Sequence, residues 1–267
     1  MSIVTFITDY GPRDYHVAMA KAQLLNWAPA AILIDISHSV EHFDLIETAY
    51  LIRSSWPSFP MGTTHVLGVS SQLKRMPLIA VKDNQYFVAA DNGVLSLILD
   101  QYPDELYEVD LPILDSDTMF PLGNIFMQVA AHLARGGSPQ MIAKPTDHWE
   151  NRIFPKAYLS GGGIQCQVIH IDDYGNMVLN FTKEMFQDYI GNRNFVIHAR
   201  SIQKSGLRTI YNTMHPEELG DGIPFAFWGV NGYLVIAMKN ATLLNGGGAA
   251  RLLGYPKMSN LFIQFND

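Results

Sequence analysis

The 267-residue chain has a single cysteine, Cys166, so no disulfide can form within it. That fits a reducing compartment and leaves burial of apolar surface to hold the fold. Basic residues are the minority: 18 Lys and Arg against 25 Asp and Glu leave a formal charge of −7. Nucleic acid and anionic membrane both reward basic surface, so neither is an expected partner. Charged residues make up only 16% of the chain against 48% hydrophobic, which excludes a disordered or coiled-coil protein. No run approaches the roughly 20 apolar residues a membrane helix needs. Met1-Ser2-Ile3-Val4-Thr5-Phe6 lacks the basic patch and longer apolar stretch of a signal peptide, so a cytoplasmic location is expected. Gly-x-Ser-x-Gly, His-Glu-x-x-His and the Lys-Ser/Thr end of a phosphate loop are also missing.

What remains is a chain long enough to bury about 70–75% of its unfolded surface, as one large or two modest domains. Short apolar runs alternate with helical spacing over the first half: strands at 3–7, 32–36, 64–69, 78–81, 86–89 and 106–109. Between them, helices are predicted from Asp14 (as N-cap) to Trp27, from His42 to Ser54, from Val94 to Leu99 and from Asn124 to Arg135, the last stopped by Gly136-Gly137. This alternation predicts an α/β N-terminal domain, residues 1–150, with a largely parallel sheet flanked by helices. After Gly161-Gly162-Gly163 the pattern becomes a series of β-type runs, which predicts a C-terminal all-β, barrel-like domain over 160–267.

Ligands in open α/β sheets bind beyond the carboxyl ends of the strands. Asp9, Asp35 with His38, Ser70 with Ser71, and Asp91 with Asn92 all fall at such ends. Each residue type is also an ordinary loop former, so their convergence matters more than any one position. Asp9, Asp14, His16, Asp35 and His38 lack the spacing of a recognised metal motif, and no metal is expected. Cys166 reads as a buried structural thiol, His132 as a core or capping histidine, and Gly246-Gly247-Gly248 as a turn.

In order, several segments resemble the S-adenosylmethionine hydroxide adenosyltransferases (SAM hydrolases), relatives of fluorinase and chlorinase. They are Thr8-Asp9-Tyr10-Gly11 with Asp14 and Lys21, Asp35-Ile36-Ser37-His38, Phe59-Pro60-Met61-Gly62-Thr63 with His65, Asp91-Asn92-Gly93, and Ala130-Ala131-His132. Asp172-Asp173-Tyr174-Gly175-Asn176 with Asn180, and Gly232-Tyr233-Leu234, extend the likeness into the second half. The resemblance implies an α/β domain followed by a β-barrel. It also implies a homotrimer whose sites lie between the N-domain of one subunit and the C-domain of its neighbour. Its reaction is attack of water at the ribose C5′ of S-adenosylmethionine, giving adenosine and L-methionine, with no cofactor. By the same resemblance Asp9 holds the ribose hydroxyls and Asp172 receives the methionine ammonium. Asn176 and Asn180 lie near the ends of the ligand, Tyr174 offers a face to adenine, and the Lys239-Asn240-Ala241 segment places backbone groups, Ala241 among them, at its edge.

The likeness breaks at the water site. Ser70 stands where the family has an aspartate and Pro121 where it has a histidine, while Arg75 matches the arginine. Arginine is always protonated and cannot serve as a base. Three readings follow: a SAM hydrolase, slow or with Ser70, Ser71 and Arg75 holding the water, a protein that binds SAM or adenosine without turnover, and the same scaffold serving another nucleophile or ligand, such as a halide or a different nucleoside. The first is the one adopted.

Overall fold

The computed structural model describes residues 2–72, 76–111, 120–191, 194–200, 207–210, 219–242, 244 and 246–266. They form two compact units, Met1–Phe154 and Pro155–Asp267.

In the first unit the elements run β1 (Ile3–Thr8), α1 (His16–Trp27), β2 (Ile32–Ser37), α2 (Leu45–Ser55), β3 (Thr64–Gly68), β4 (Leu78–Lys82), β5 (Gln85–Ala89), α3 (Val94–Ile98), β6 (Glu105–Val109), α4 (Met127–Ala134) and β7 (Ala143–Pro145). The sheet order is β2-β1-β3-β5-β4-β6-β7. β2, β1, β3 and β5 are parallel neighbours, and β4, β6 and β7 add antiparallel pairs at the other side. Both β1 and β3 are buried on both faces, which is why they read as unbroken apolar runs rather than alternating ones. The chain leaves β1 through α1 to reach β2 on one side, then crosses back through α2 to reach β3 on the other. Right-handed crossovers in opposite directions put α1 and α2 on opposite faces and open a crevice at the tip of β1.

Three helix starts differ from expectation. α1 begins at His16, not Asp14, and Tyr15 at its N-cap makes no side-chain capping bond. α2 begins at Leu45, not at His42, because Phe43 has φ of 65° and cannot belong to a right-handed helix. Asp44 is its true cap, accepting the Glu47 N–H at 2.8 Å. α4 is preceded by a π-type turn over Leu122–Phe126. There Gly123 lies so close to the Gln23 and Phe120 side chains that a Cβ would meet each at 2.2 Å.

The second unit runs β8 (Tyr158–Ser160), β9 (Gly163–Ile171), β10 (Met177–Thr182), α5 (Lys183–Tyr189), β11 (Asn194–Arg200), β12 (Leu207–Ile210), β13 (Pro224–Trp228), β14 (Tyr233–Met238), α6 (Gly248–Leu253) and β15 (Asn260–Asn266). Its strands are all antiparallel, ordered β12-β11-β15-β9-β10-β14-β13 with β8 added on β9. Long β9 pairs with β15 through Gly163–Gln167 and with β10 through Val168–Ile171, so one strand serves two sheet halves and the whole curls into a half-barrel. Cys166 sits in β9 at 1% exposure, and burial pushes its thiol pKa up. Gly246–Gly248 does more than turn: Gly248 begins α6, pressed on the turn after β9, where a Cβ would lie 2.6 Å from Tyr174 O. Among the described residues no helix is long and apolar enough to cross a membrane.

Candidate functional site

Asp9 is the first residue beyond β1, held between the tips of β2 and β3. Its side chain is nearly buried, at 5% residue exposure, and borders a cavity of about 200 Å³. Oδ2 accepts two backbone N–H groups, from Phe43 at 3.0 Å and from Ser70 at 3.3 Å. The backbone carbonyl of Asp9 meets His42 Nδ1 at 2.9 Å. A carboxylate oxygen tied down in this way leaves Oδ1 as the acceptor available to a ligand.

The two donors come from strained loops. Phe43 (φ 65°) and Ser70 (φ 48°) both occupy the left-handed region, which a bulky aromatic adopts only when its surroundings impose it. Asn92 secures the second loop by donating Nδ2 to Val69 O (3.3 Å) and Ser70 O (3.0 Å), while its Oδ1 accepts the Val94 N–H at 3.1 Å. Phe43 is 67% exposed and stands, with Ser70 and Gln72, between the Asp9 cavity and a second of about 410 Å³.

The far wall of the smaller cavity is aromatic. Tyr10, His16 and Phe120 meet one another at ring separations of 5.4 to 6.1 Å, and Pro121 lines the same space. The Tyr10 hydroxyl is 3.1 Å from Ser71 Oγ. Burial raises the Tyr10 pKa, Ser71 opposes it, and the Asp9 charge adds to it, so the phenol stays protonated at neutral pH. Around the site, then, are one anchored carboxylate, neutral hydroxyls and rings. That composition suits a polyhydroxylated, aromatic ligand.

Behind Asp9, Lys21 Nζ contacts Asp35 Oδ2 at 2.6 Å, and His38 Nε2 lies 3.1 Å from Asp35 Oδ1. The latter is a close polar contact rather than an aligned hydrogen bond. Burial raises the Asp35 pKa, but Lys21 and His38 outweigh it and hold the carboxyl below its usual range. Among the described residues, the acids close enough to share an ion are Glu41, Asp44 and Glu47. Asp44 is committed to capping and Glu47 Oε2 accepts the Glu41 N–H. The set weighed from sequence does not converge as ligands.

Of the residues expected to act, Asp9 and Ser70 share the first-unit cavity, and Arg75 lies outside the described residues. In the second unit Asp172, Tyr174 and Asn176 share the turn between β9 and β10. Ala241 follows β14 at the same end of the sheet, since Met177 pairs with Ile236. Asp172 is heavily engaged in its own turn: Oδ1 accepts Tyr174 N and Asn176 N, and Oδ2 accepts Asn176 Nδ2, each at 2.9 Å. Asn180 is buried and its Oδ1 accepts Gln167 N at 2.7 Å, mending the β10–β9 ladder where its register shifts. Tyr174 is 64% exposed. His132 Nε2 donates to Ser138 O (3.0 Å), a capping role at the end of α4. Sequence reasoning missed Phe43, Tyr10 and Phe120 as wall residues, and nothing in the sequence marks a phenylalanine for positive φ.

Residues 4–143 match the SAM hydroxide adenosyltransferase N-terminal domain and residues 166–261 the corresponding C-terminal domain. The chain is 24% identical over 269 residues to the (R)-S-adenosyl-L-methionine hydrolase of Thermus thermophilus, covering 95% of this chain and 96% of that one. It is 27% identical over 270 residues to the enzyme of the same name from Salinispora arenicola, covering 94% and 93%. A crystal structure of a conserved protein from Thermotoga maritima superposes with a TM-score of 0.85 at 24% identity, covering 98% of this chain and 99% of that one. With both halves matched in order, the chain belongs to the SAM hydroxide adenosyltransferase family.

Proposed function

We propose that this protein hydrolyses (R)-S-adenosyl-L-methionine to adenosine and L-methionine in the crevice at the tip of β1. The observation that carries the reading is Asp9, a nearly buried carboxylate whose Oδ2 is held by two backbone donors while the residue borders a cavity. An ionised carboxylate of that kind grips paired ribose hydroxyls well. A water oxygen then attacks C5′, the C5′–S bond breaks, and sulfur keeps the bonding pair as a neutral thioether. One proton passes to solvent. The sulfonium is already a good leaving group, so positioning supplies most of the rate. Ser70 and Arg75 hold the water, Ser70 standing in the place of the family's aspartate. Turnover is slower for that reason, by about 10²–10⁴ relative to a site with a general base. The hydrolases to which the chain is similar support turnover over binding alone.

The working unit in this proposal is a cytoplasmic homotrimer, each site completed by the Asp172–Asn176 turn and Ala241 of a second copy. Family membership supports it. Pure protein incubated with SAM should release adenosine and methionine in equal amounts. Product no faster than spontaneous decay would overturn the proposal. Mixing Asp9→Ala with Asp172→Ala subunits should restore part of the activity if the site is shared, and no restoration counts against sharing.

A further inference from the structure

The Asp35-Ile36-Ser37-His38 segment carries part of the resemblance, yet neither Asp35 nor His38 lines the Asp9 cavity. We infer that His38 is a positioning residue: it fixes the turn that presents Asp9, and so sets how well the protein distinguishes a sugar with two free hydroxyls from one with a single hydroxyl. The inference rests on the proposed role of Asp9 toward ribose.

His38 holds that turn twice. Its carbonyl accepts the Gly11 N–H at 2.8 Å. Its Nδ1 lies 2.9 Å from Thr8 Oγ1, and that oxygen accepts the Tyr10 N–H at 3.4 Å. Asp9 is therefore bracketed, with the side chain before it and the two N–H groups after it all answering to one histidine. Asp35 near Nε2 favours the ring proton there, which leaves Nδ1 to accept the Thr8 hydroxyl. Thr8 is fully buried and the His38 side chain is 10% exposed, so neither has water as a substitute partner. The Phe6 ring edge, 4.9 Å from the imidazole, limits its rotation. Lys21 holds the other Asp35 oxygen from α1, at the half-exposed end of this chain of contacts.

Two hydrogen bonds to a diol demand finer placement than one. A slack Asp9 loses the second bond first, and misplacement by about 1 Å costs up to roughly 10² in a positioned interaction. The test is calorimetry of the full-length protein with adenosine, 2′-deoxyadenosine and 3′-deoxyadenosine, alongside thermal melts. The wild type should prefer adenosine over each deoxy analogue by about tenfold or more. Thr8→Val, nearly isosteric, and His38→Ala should reduce that preference to within about threefold, while Thr8→Ser should retain it. A simple loss of stability would weaken all three ligands in proportion and leave their ratio intact. An unchanged ratio in Thr8→Val overturns the inference. Should Thr8→Val fail to fold, Asp35→Asn at the half-exposed end replaces it: a reduced ratio supports the inference and an unchanged one overturns it. A wild type that binds adenosine but ignores the missing hydroxyls instead overturns the role given to Asp9.

Discussion

Ser70 and Asp9, 61 positions apart, meet through a backbone N–H donated to a carboxylate oxygen at 3.3 Å. The contact depends on backbone shape. At φ of 48° the Ser70 amide turns toward the tip of β1, and the loop is tied by its own carbonyl to Asn92. β1 and β3 are parallel neighbours, so their carboxyl ends lie side by side and a serine after one reaches an aspartate after the other. Sheet topology brings them together, and local strain completes the bond.

Ser70→Gly removes the side chain but suits the left-handed backbone better. Stability should hold or rise by up to about 1 kcal/mol, and adenosine affinity should stay within about twofold, because the donor to Asp9 is the main chain. Ser70→Val places a β-branched residue at positive φ and should cost about 1–2 kcal/mol. Urea melts of the two variants check the order. If the glycine variant keeps its adenosine affinity yet hydrolyses SAM at the wild-type rate, the hydroxyl has no part in holding water.

Asp9→Asn keeps the shape and one carbonyl-type acceptor but removes the charge. Charge-assisted hydrogen bonds are worth about 1.5–3 kcal/mol, so adenosine affinity should fall roughly 10- to 100-fold. Adenine alone should bind the variant and the wild type alike. Calorimetry with both ligands separates a lost sugar contact from a collapsed site; equal losses for adenine and adenosine would contradict the assignment.

The sheet and its reactive edge were legible because they follow from periodicity. Apolar runs bounded by Asp9, His38, Ser70 and Asn92 marked strand ends, and α/β topology gathers strand ends on one edge. Details set by single dihedrals were not legible. The helix read from His42 starts after Phe43, since nothing in the local sequence announces that residue's positive φ. α5 and α6, of seven and six residues, carry too few turns to show helical spacing against a β background. Asp172 and Asn180 illustrate a different gap. Their local partners could not be read from the sequence: Asp172 closes its own turn and Asn180 mends a strand ladder.

Asn92 should matter to stability and to binding together. Asn92→Ala forfeits two donors to the Val69 and Ser70 carbonyls and the acceptor for Val94 N–H, and should cost about 1–3 kcal/mol. Asn92→Asp keeps the acceptor but turns a carboxylate oxygen toward two carbonyls, so it should be less stable than the alanine variant. Chemical denaturation decides the order. An aspartate variant as stable as wild type would mean that the amide donors contribute nothing.

The clearest pH dependence comes from His65, fully buried in β3 with Thr5 Oγ1 at 2.7 Å from Nδ1 and Gln85 Oε1 at 2.9 Å from Nε2. Burial pushes its pKa down to about 4, against a smaller opposing effect of the Gln85 hydrogen bond. An unfolded histidine titrates near 6.5, so between these values the unfolded chain binds the extra proton. Stability from this residue is therefore complete above about pH 6.5 and lost as the pH falls toward 4. The gap corresponds to about 3 kcal/mol at most, a large share of the 5–15 kcal/mol that holds a typical domain. Urea midpoints measured from pH 7.5 to 4.5 should fall along this course. His65→Gln, which stays neutral, should be less stable at pH 7.5 through imperfect packing yet lose less as the pH drops. Parallel declines for the two proteins would assign the acid sensitivity to some other group.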